Sequence, residues 1–219
     1  MKKVKYLAVV LAIFTATFST IEAQKSNSKE FTGYETLFHN NGELHVAQKF
    51  VNGIVVQQDE YYPNGSLKEI SYAFGKFKNG LALLYYDDCS VQAKRFFLKG
   101  KLHGKYEKYF PSGQLSYRVN YIDGLREGLY QYYYPEGNKV ADVYYRKGKK
   151  HGTYIGLHKD GSVFITGTYF DDKRHGEFIV YPKDDDGNSL PEKRTYHYHG
   201  DDITKEQYLK YKAQDKDYN

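Results

Sequence analysis

The chain has 219 residues, within the usual range of one domain, and a formal net charge of +5. Its 25 Tyr and 13 Phe, with no Trp, give 17% aromatic residues, too many for a disordered chain. The charges are interspersed rather than gathered into a basic footprint, which argues against a nucleic-acid surface, and a single cysteine excludes an internal disulfide framework.

Lys2, Lys3 and Lys5 open the chain, and an apolar-rich run follows from Tyr6 to Phe18. Small and polar residues then lead to Ala23. Residues 1–23 read as a secretory signal peptide cut before Gln24. The run is short for a membrane span, and no cysteine stands at the cut to carry a lipid anchor. Removing this segment takes away three lysines and Glu22, so the formal charge falls from +5 to +3. The expected location is secreted, periplasmic or cell envelope, with no membrane span in the mature chain. Residues 24–32 read as a flexible linker.

A tandem repeat occupies residues 33–200. Gly80, Gly104, Gly128, Gly152, Gly176 and Gly200 recur at steps of 24 residues and act as linking glycines. Gly65, Gly113, Gly137 and Gly161 form a second series, with Cys89 at the missing position, and Gly100, Gly124 and Gly148 a third. Aromatic columns share the period: Tyr61, Tyr85, Tyr109, Tyr133, then Leu157 and Tyr181; Tyr62, Tyr86, Phe110, Tyr134, then His158. Phe97, Tyr121, Tyr145 and Tyr169 make another column, and Tyr106, Tyr130, Tyr154 and Phe178 a further one.

Within one unit, Lys105 to Phe110 reads as a strand, Pro111-Ser112-Gly113 as a turn and Leu115 to Tyr121 as a second strand. Ile122 to Gly128 reads as a longer link. No crossover helix fits this spacing, so neighbouring strands are expected to be antiparallel. Leu115, Tyr117, Val119 and Tyr121 alternate with Ser116, Arg118 and Asn120, the pattern of a sheet with one wetter face. In the first strand Tyr106 and Phe110 share a side and Tyr109 takes the other. The fold class is therefore all-β: an elongated, twisted antiparallel meander of tandem 24-residue β-hairpin repeats.

The ends depart from the pattern. The first unit slips by one residue, and Val56 replaces its linking glycine. The second has Lys76 where the third series wants glycine, beside Gly75. The last carries a longer polar turn from Pro182 to Pro191. Residues 201–219 read as a helical cap and tail: Thr204 and Gln207 fit a capping box, and Ile203, Tyr208, Leu209 and Tyr211 give the helix an apolar side to plug the end of the sheet.

Tyr109-Phe110-Pro111-Ser112-Gly113-Gln114-Leu115 followed by Tyr121-Ile122-Asp123-Gly124-Leu125-Arg126-Glu127-Gly128 resembles MORN-type repeats, in particular the bacterial, antitoxin-like variant group. Tyr133 to Gly137 with Tyr145 to Gly152 repeats the motif, and the similarity covers about residues 38–200. The resemblance implies hairpin repeats in an extended sheet and, more loosely, a role in holding proteins or lipids. It brings no catalytic residues.

Candidate chemistry is sparse. His103, His151, His175 and His199 each precede a linking glycine, but a separation of roughly two strand spacings, about 10 Å, is too wide for a shared metal. His197 and His199 sit at i and i+2 and could face one way. Asp184-Asp185-Asp186-Gly187-Asn188-Ser189 offers oxygen ligands but lacks the alternation and closing Glu of an EF-hand. Cys89 stands beside Asp87 and Asp88, whose charges would raise its thiol pKa. No two carboxylates are singled out for hydrolysis. No cofactor or metal is expected.

The reading that remains is a non-catalytic binding or scaffold protein. It would recognise a protein partner or cell-envelope component through Tyr85, Tyr109, Tyr133, Tyr181, Arg118 and Arg126, since Tyr and Arg are favoured in contact surfaces. Glycan or lipid binding, a carboxylate-based hydrolase and end-to-end assembly are the alternatives.

Overall fold

The structure, a computed structural model, describes residues 31–214. The expected signal peptide, most of the expected linker and residues 215–219 lie outside the described residues. Fifteen strands form one antiparallel sheet in which every strand pairs with its sequence neighbours. They are β1 (Gly33–Phe38), β2 (Leu44–Val51), β3 (Ile54–Tyr61), β4 (Leu67–Phe74) and β5 (Phe77–Tyr85). Next come β6 (Val91–Leu98), β7 (Lys101–Tyr109), β8 (Leu115–Ile122), β9 (Leu125–Tyr133) and β10 (Lys139–Arg146). The sheet ends with β11 (Lys149–Leu157), β12 (Val163–Phe170), β13 (Lys173–Val180), β14 (Lys193–Tyr198) and β15 (Asp201–Ile203), followed by α1 (Lys205–Gln214). The elongated all-β meander with one short C-terminal helix is thus the observed fold.

Two kinds of turn alternate along the two long edges. On one edge five residues connect the strands, as at Phe110–Gln114. There Gly113 N donates to Phe110 O and Phe110 N to Gln114 O, both at 2.8 Å, with Gly113 at φ 85°. Cys89 holds the same position at φ 68°. The other edge corrects the expected long link. Asp123 and Gly124, at φ 51° and 86°, form a two-residue turn of type I′, and β9 begins at once with Leu125. The second unit reaches the same sharp reversal differently. Gly75 has φ 60° while Lys76 does not enter positive φ, as a type II′ turn requires.

The linking glycines lie inside strands, where they make bulges. Pairing steps from Arg95–Tyr106 to Phe97–Leu102, so Phe96 alone faces His103, Gly104 and Lys105. Gly104, at φ 91°, supplies the backbone conformation this needs. In the first unit, where Val56 stands for the glycine, the pairing slips by one residue instead, from Lys49–Gln57 to Phe50–Val55. That smaller bulge is the physical form of the one-residue slip in the period. Gly200 is also reassigned. Its N–H donates to Arg174 O at 2.9 Å, as Gly148 does to Arg126 and Gly124 to Leu102. It is a tight-turn glycine, carried to the linking position by the longer loop after β13.

Opposed residues share a face, so the register assigns sides. Face A holds the row Ala82, Arg95, Tyr106, Val119, Tyr130, Val143, Tyr154, Gly167 and Phe178, one residue from each strand from β5 to β13. Large side chains alternate with small ones from Tyr106 onward. Tyr130 is only 3% exposed although, among the described residues, no second sheet covers it, so its neighbours on face A enclose it. Ring centroids 5.2 Å apart for Tyr117–Tyr130 and 5.7 Å for Tyr130–Tyr145 show the packing. The expected division of β8 holds: Val119 is buried and Arg118 and Asn120 are exposed. Phe110 lies beyond the end of β7, in the turn, and does not share the strand face of Tyr106.

At the C-terminal end Thr204 and Gln207 make the reciprocal capping box. Thr204 N donates to Gln207 Oε1 at 2.8 Å, and Gln207 N to Thr204 Oγ1 at 3.2 Å. Tyr208 packs on Tyr196 and Tyr211 stacks on Tyr198 at 4.3 Å, which fastens α1 to β14. Leu209, expected on the apolar side, is exposed.

A Cβ added at Gly167 would lie 2.3 Å from the Phe178 ring. Gly167→Ala is therefore expected to destabilise the fold by about 1–3 kcal/mol in chemical denaturation; an unchanged midpoint would mean the ring is not held. Cys89→Gly should act in the opposite sense. The left-handed conformation costs an L-residue about 1–2 kcal/mol. Glycine's greater unfolded-state entropy returns roughly 0.5–1 kcal/mol of that, leaving a net gain of up to about 1.5 kcal/mol. A lowered midpoint for this variant would contradict the assignment.

Candidate functional site

The six residues expected at a binding surface divide between the two faces. Tyr85, Tyr109 and Tyr133 end β5, β7 and β9 on face B, half-buried, and Tyr181 follows β13 at the same edge. Lys94 Nζ stands 5.5 Å from the centre of the Tyr109 ring, and the Tyr109 hydroxyl donates to Glu107 Oε2 at 3.1 Å. Burial and then the Glu107 bond push the Tyr109 phenol above its ordinary range. Burial acts to raise the Glu107 carboxyl, but hydrogen bonds from Lys105 and Tyr109 and the nearby lysine charges hold it below the usual carboxylate range.

Arg118 lies mid-sheet on face B. Its Nε donates to Gln131 Oε1 at 2.6 Å, and Gln131 Nε2 to Asp142 Oδ1 at 2.9 Å. Lys94, Glu107, Arg118, Gln131 and Asp142 are consecutive partners from β6 to β10, a polar row across the face. Arg126 is on the opposite face. Its guanidinium lies 5.4 Å from the Tyr130 ring centre and 5.2 Å from that of Tyr145. It is packed as part of the aromatic layer and does not join Arg118.

Arg126 belongs to a column that the glycine and aromatic series do not reveal. Lys78 stands over Phe97, Arg126 over Tyr145 and Lys150 over Tyr169, each cation 19 residues before its ring. A cation over an aromatic face contributes about 0.5–1 kcal/mol where exposed and more when desolvated. The signal was present as a basic residue at the period of the rings, with Leu102 the exception.

A second feature lies outside the expected set. Along the tight-turn edge of face B the large apolar side chains are left in water. Phe74 is 67% exposed, and Tyr72, Phe96, Leu98, Ile122 and Leu125 are exposed beside it. Phe74 pairs with Phe77 and Ile122 with Leu125 across two of the tight turns, and Leu98 pairs with Lys101 across the one between them. Lys76, Lys99, Lys101, Lys147 and Lys149 occupy or border those turns. Asp123, Asp171 and Asp172 also sit in tight turns, and the five-residue edge carries Asp87, Asp88, Glu136, Asp160 and Asp184 to Asp186 beside Lys159 and Lys183. The signal in sequence was a hydrophobic residue on each side of the tight turn. It stayed hidden because the segment read as a link rather than as the ends of two strands.

The histidines do not assemble as a row. His175 and His199 have ring centroids 5.0 Å apart, half the expected spacing. Because Gly200 is a tight-turn glycine, His199 belongs to the turn beside β13 rather than to the next bulge. His197 packs its ring on Phe178, on face A, whereas His199 packs on Phe170 of face B, so the two do not face one way. Asp184 folds back on its own loop, accepting from Asn188 N at 2.7 Å and Asn188 Nδ2 at 3.0 Å. Cys89 is exposed at a turn tip. Among the described residues no group of three or more His, Cys, Asp or Glu is arranged to hold a metal ion. Among them also, no helix is long and apolar enough to cross a membrane.

His197 is 3% exposed, with Nδ1 2.8 Å from Asp202 Oδ1. Burial holds its imidazole below the ordinary histidine range; Asp202 opposes this, and Arg174 adds to it. The unfolded chain therefore takes up this proton at a higher pH than the folded chain. The contribution is full above the ordinary histidine value and is lost as pH falls below it. The thermal midpoint is expected to drop between roughly pH 7 and pH 5, less so in His197→Gln; equal slopes for the two proteins would refute the assignment.

A family model described as MORN repeat variant matches residues 58–73, 102–123 and 126–147. The matched segments cover part of the repeat array, less than the span over which the motif resemblance was drawn. No curated protein matches the chain. Among solved structures, a porin-like protein from Bacteroides uniformis aligns at 7% identity, over 78% of this chain and 86% of that one, with a TM-score of 0.20. A likeness at that level carries no weight for fold or function.

Proposed function

We propose that this chain is a non-catalytic binding or scaffold protein of the cell envelope that holds a protein partner along face B. The observation that carries this reading is the strip of exposed Phe74, Phe96, Leu98 and Ile122 bordered by the tight-turn lysines. Soluble monomers rarely leave contiguous apolar patches of this extent in water, and such patches with a polar rim mark interaction surfaces. Charge favours a partner whose matching surface is apolar and acidic. The half-buried tyrosines Tyr85, Tyr109 and Tyr133 and the row through Arg118 continue the same face toward the other edge. The leader read at residues 1–23 supports an envelope location, where a cytosolic toxin would not be met; the reading is therefore of an envelope scaffold, not an antitoxin.

The test is a crosslinking pull-down from the native envelope fraction with the mature chain. Phe74→Ser, Phe96→Ser and Ile122→Ser combined should lower the thermal midpoint only modestly, because about half of this side-chain surface is already in water. Recovery of the captured partner should fall at least tenfold. A second variant, Tyr109→Ala with Tyr133→Ala and Tyr181→Ala, should lower recovery less. Folded variants that capture every partner at wild-type yield would rule out face B.

A further inference from the structure

The repeat breaks on face A at β4 and β5. The column Phe97, Tyr121, Tyr145 and Tyr169 reads Ala73 one unit earlier. The column Tyr106, Tyr130, Tyr154 and Phe178 reads Ala82. Two rings that the other units supply are therefore missing; Ala82 is covered and fully buried, and the opening is at Ala73. A groove of about 620 Å³ opens there, lined in part by Gln48, Gln58, Ser71, Ala73, Phe77 and Lys78. Its size is that of a small-ligand site.

The lining is polar and ordered. Gln48 Nε2 donates to Gln58 Oε1 at 2.8 Å, and Gln58 Nε2 to Glu60 Oε1 at 2.9 Å. Ser71 Oγ bonds to Gln58 O at 3.2 Å. Each amide nitrogen commits one N–H to this chain and keeps a second for a ligand. Beneath them Glu69 is buried between Lys78 and Arg95, whose Nη2 is 2.7 Å from Glu69 Oε2. One carboxylate between two cations leaves the trio with a formal charge of +1, and the charged residues lining the groove itself are Lys76 and Lys78.

We propose that this groove binds a carboxylate-bearing sugar unit, a hexuronate free or within an acidic glycan. Hydroxyl groups both donate and accept, as the paired amides and Ser71 do. Val55 and Ala73 in the lining offer apolar surface to the C–H face of a pyranose. The lysine ammonium groups supply the charge for the carboxylate, through hydrogen bonds stronger than neutral ones. The site's amides, Ser71 and Lys78 lie on the face opposite the protein-docking strip, while Lys76 and Phe77 belong to the tight turn that borders both.

Glucuronate, glucose and acetate are the probes, titrated into the full mature chain and followed by backbone amide shifts. Glucuronate should shift the amides of β3 to β5 saturably. Glucose and acetate should bind at least about tenfold more weakly, since each lacks one class of charge-assisted or hydroxyl contact. Ala73→Tyr restores the aromatic residue found at this position in the later units. It should keep the fold, with a thermal midpoint no lower than wild type, and lose glucuronate binding. Gln58→Leu should weaken binding at least tenfold. Absence of saturable glucuronate binding, or equal binding of acetate or glucose, would overturn the proposal, as would undiminished binding by a folded Ala73→Tyr.

Discussion

The structure depends on one constraint: a single sheet must bury its own side chains without a second layer. A flat ribbon would leave every ring on a face half in water. Here the residues of face A enclose one another, and Tyr130 and Val119 reach the burial of a core. Alternation of bulk makes this work. Val119, Val143 and Gly167 leave room on the even strands for Tyr106, Tyr130, Tyr154 and Phe178 on the odd ones. The bulge glycines add extra backbone to each odd strand, which increases local twist and bends the strand. The cations of the Lys78, Arg126 and Lys150 column lie over the outer rings of that layer.

Much of this was legible in sequence because the repeat imposes one geometry many times. The glycine series marks positive φ at Gly104 and Gly113 in unit after unit. The alternation along β8 gives the correct faces, and Thr204 with Gln207 gives the cap. What sequence left open were events of one or two residues. Asp123-Gly124 is a strong signal for a type I′ hairpin. Its meaning was masked by treating Gly128 as the end of a link, when it is a bulge within β9. The unit between the tight turns at Asp172 and Gly200 is four residues longer than the period, which restored the arithmetic at Gly200 while changing its role. Side-chain contacts were less legible still: nothing in spacing alone says that Arg126 packs on Tyr145 while Arg118 reaches Gln131 on the other face.

The two faces therefore carry different kinds of information. Face A is mostly spoken for by packing, and its aromatic columns are explained once enclosure is understood. A tyrosine there is no evidence of a ligand. Face B has a polar row at its centre and exposed apolar pairs along the basic edge. Those pairs gain only part of their apolar burial from the fold as it stands, since Phe74 is mostly and Ile122 half in water. Association is the process that could turn that exposed area into free energy.

In a repeat array the informative positions are those where the unit is not repeated. Cys89 in a glycine turn and Lys76 beside Gly75 are accommodated by the backbone and need no further account. Ala73 and Ala82 are different. Each removes a ring from a column that holds the layer together. Beside the fully buried Ala82 the larger Arg95 stands where later units have Val119, Val143 and Gly167, whereas Ala73 is left on the groove. There the space is walled by amides, a hydroxyl and a lysine tied to the buried Glu69. Leaving polar groups beside an unfilled groove costs packing that an aromatic residue would restore. A chain that places tyrosine or phenylalanine at the same position in four later units had that solution available. The physical argument therefore assigns the groove to a ligand, and assigns the aromatic columns elsewhere to the sheet.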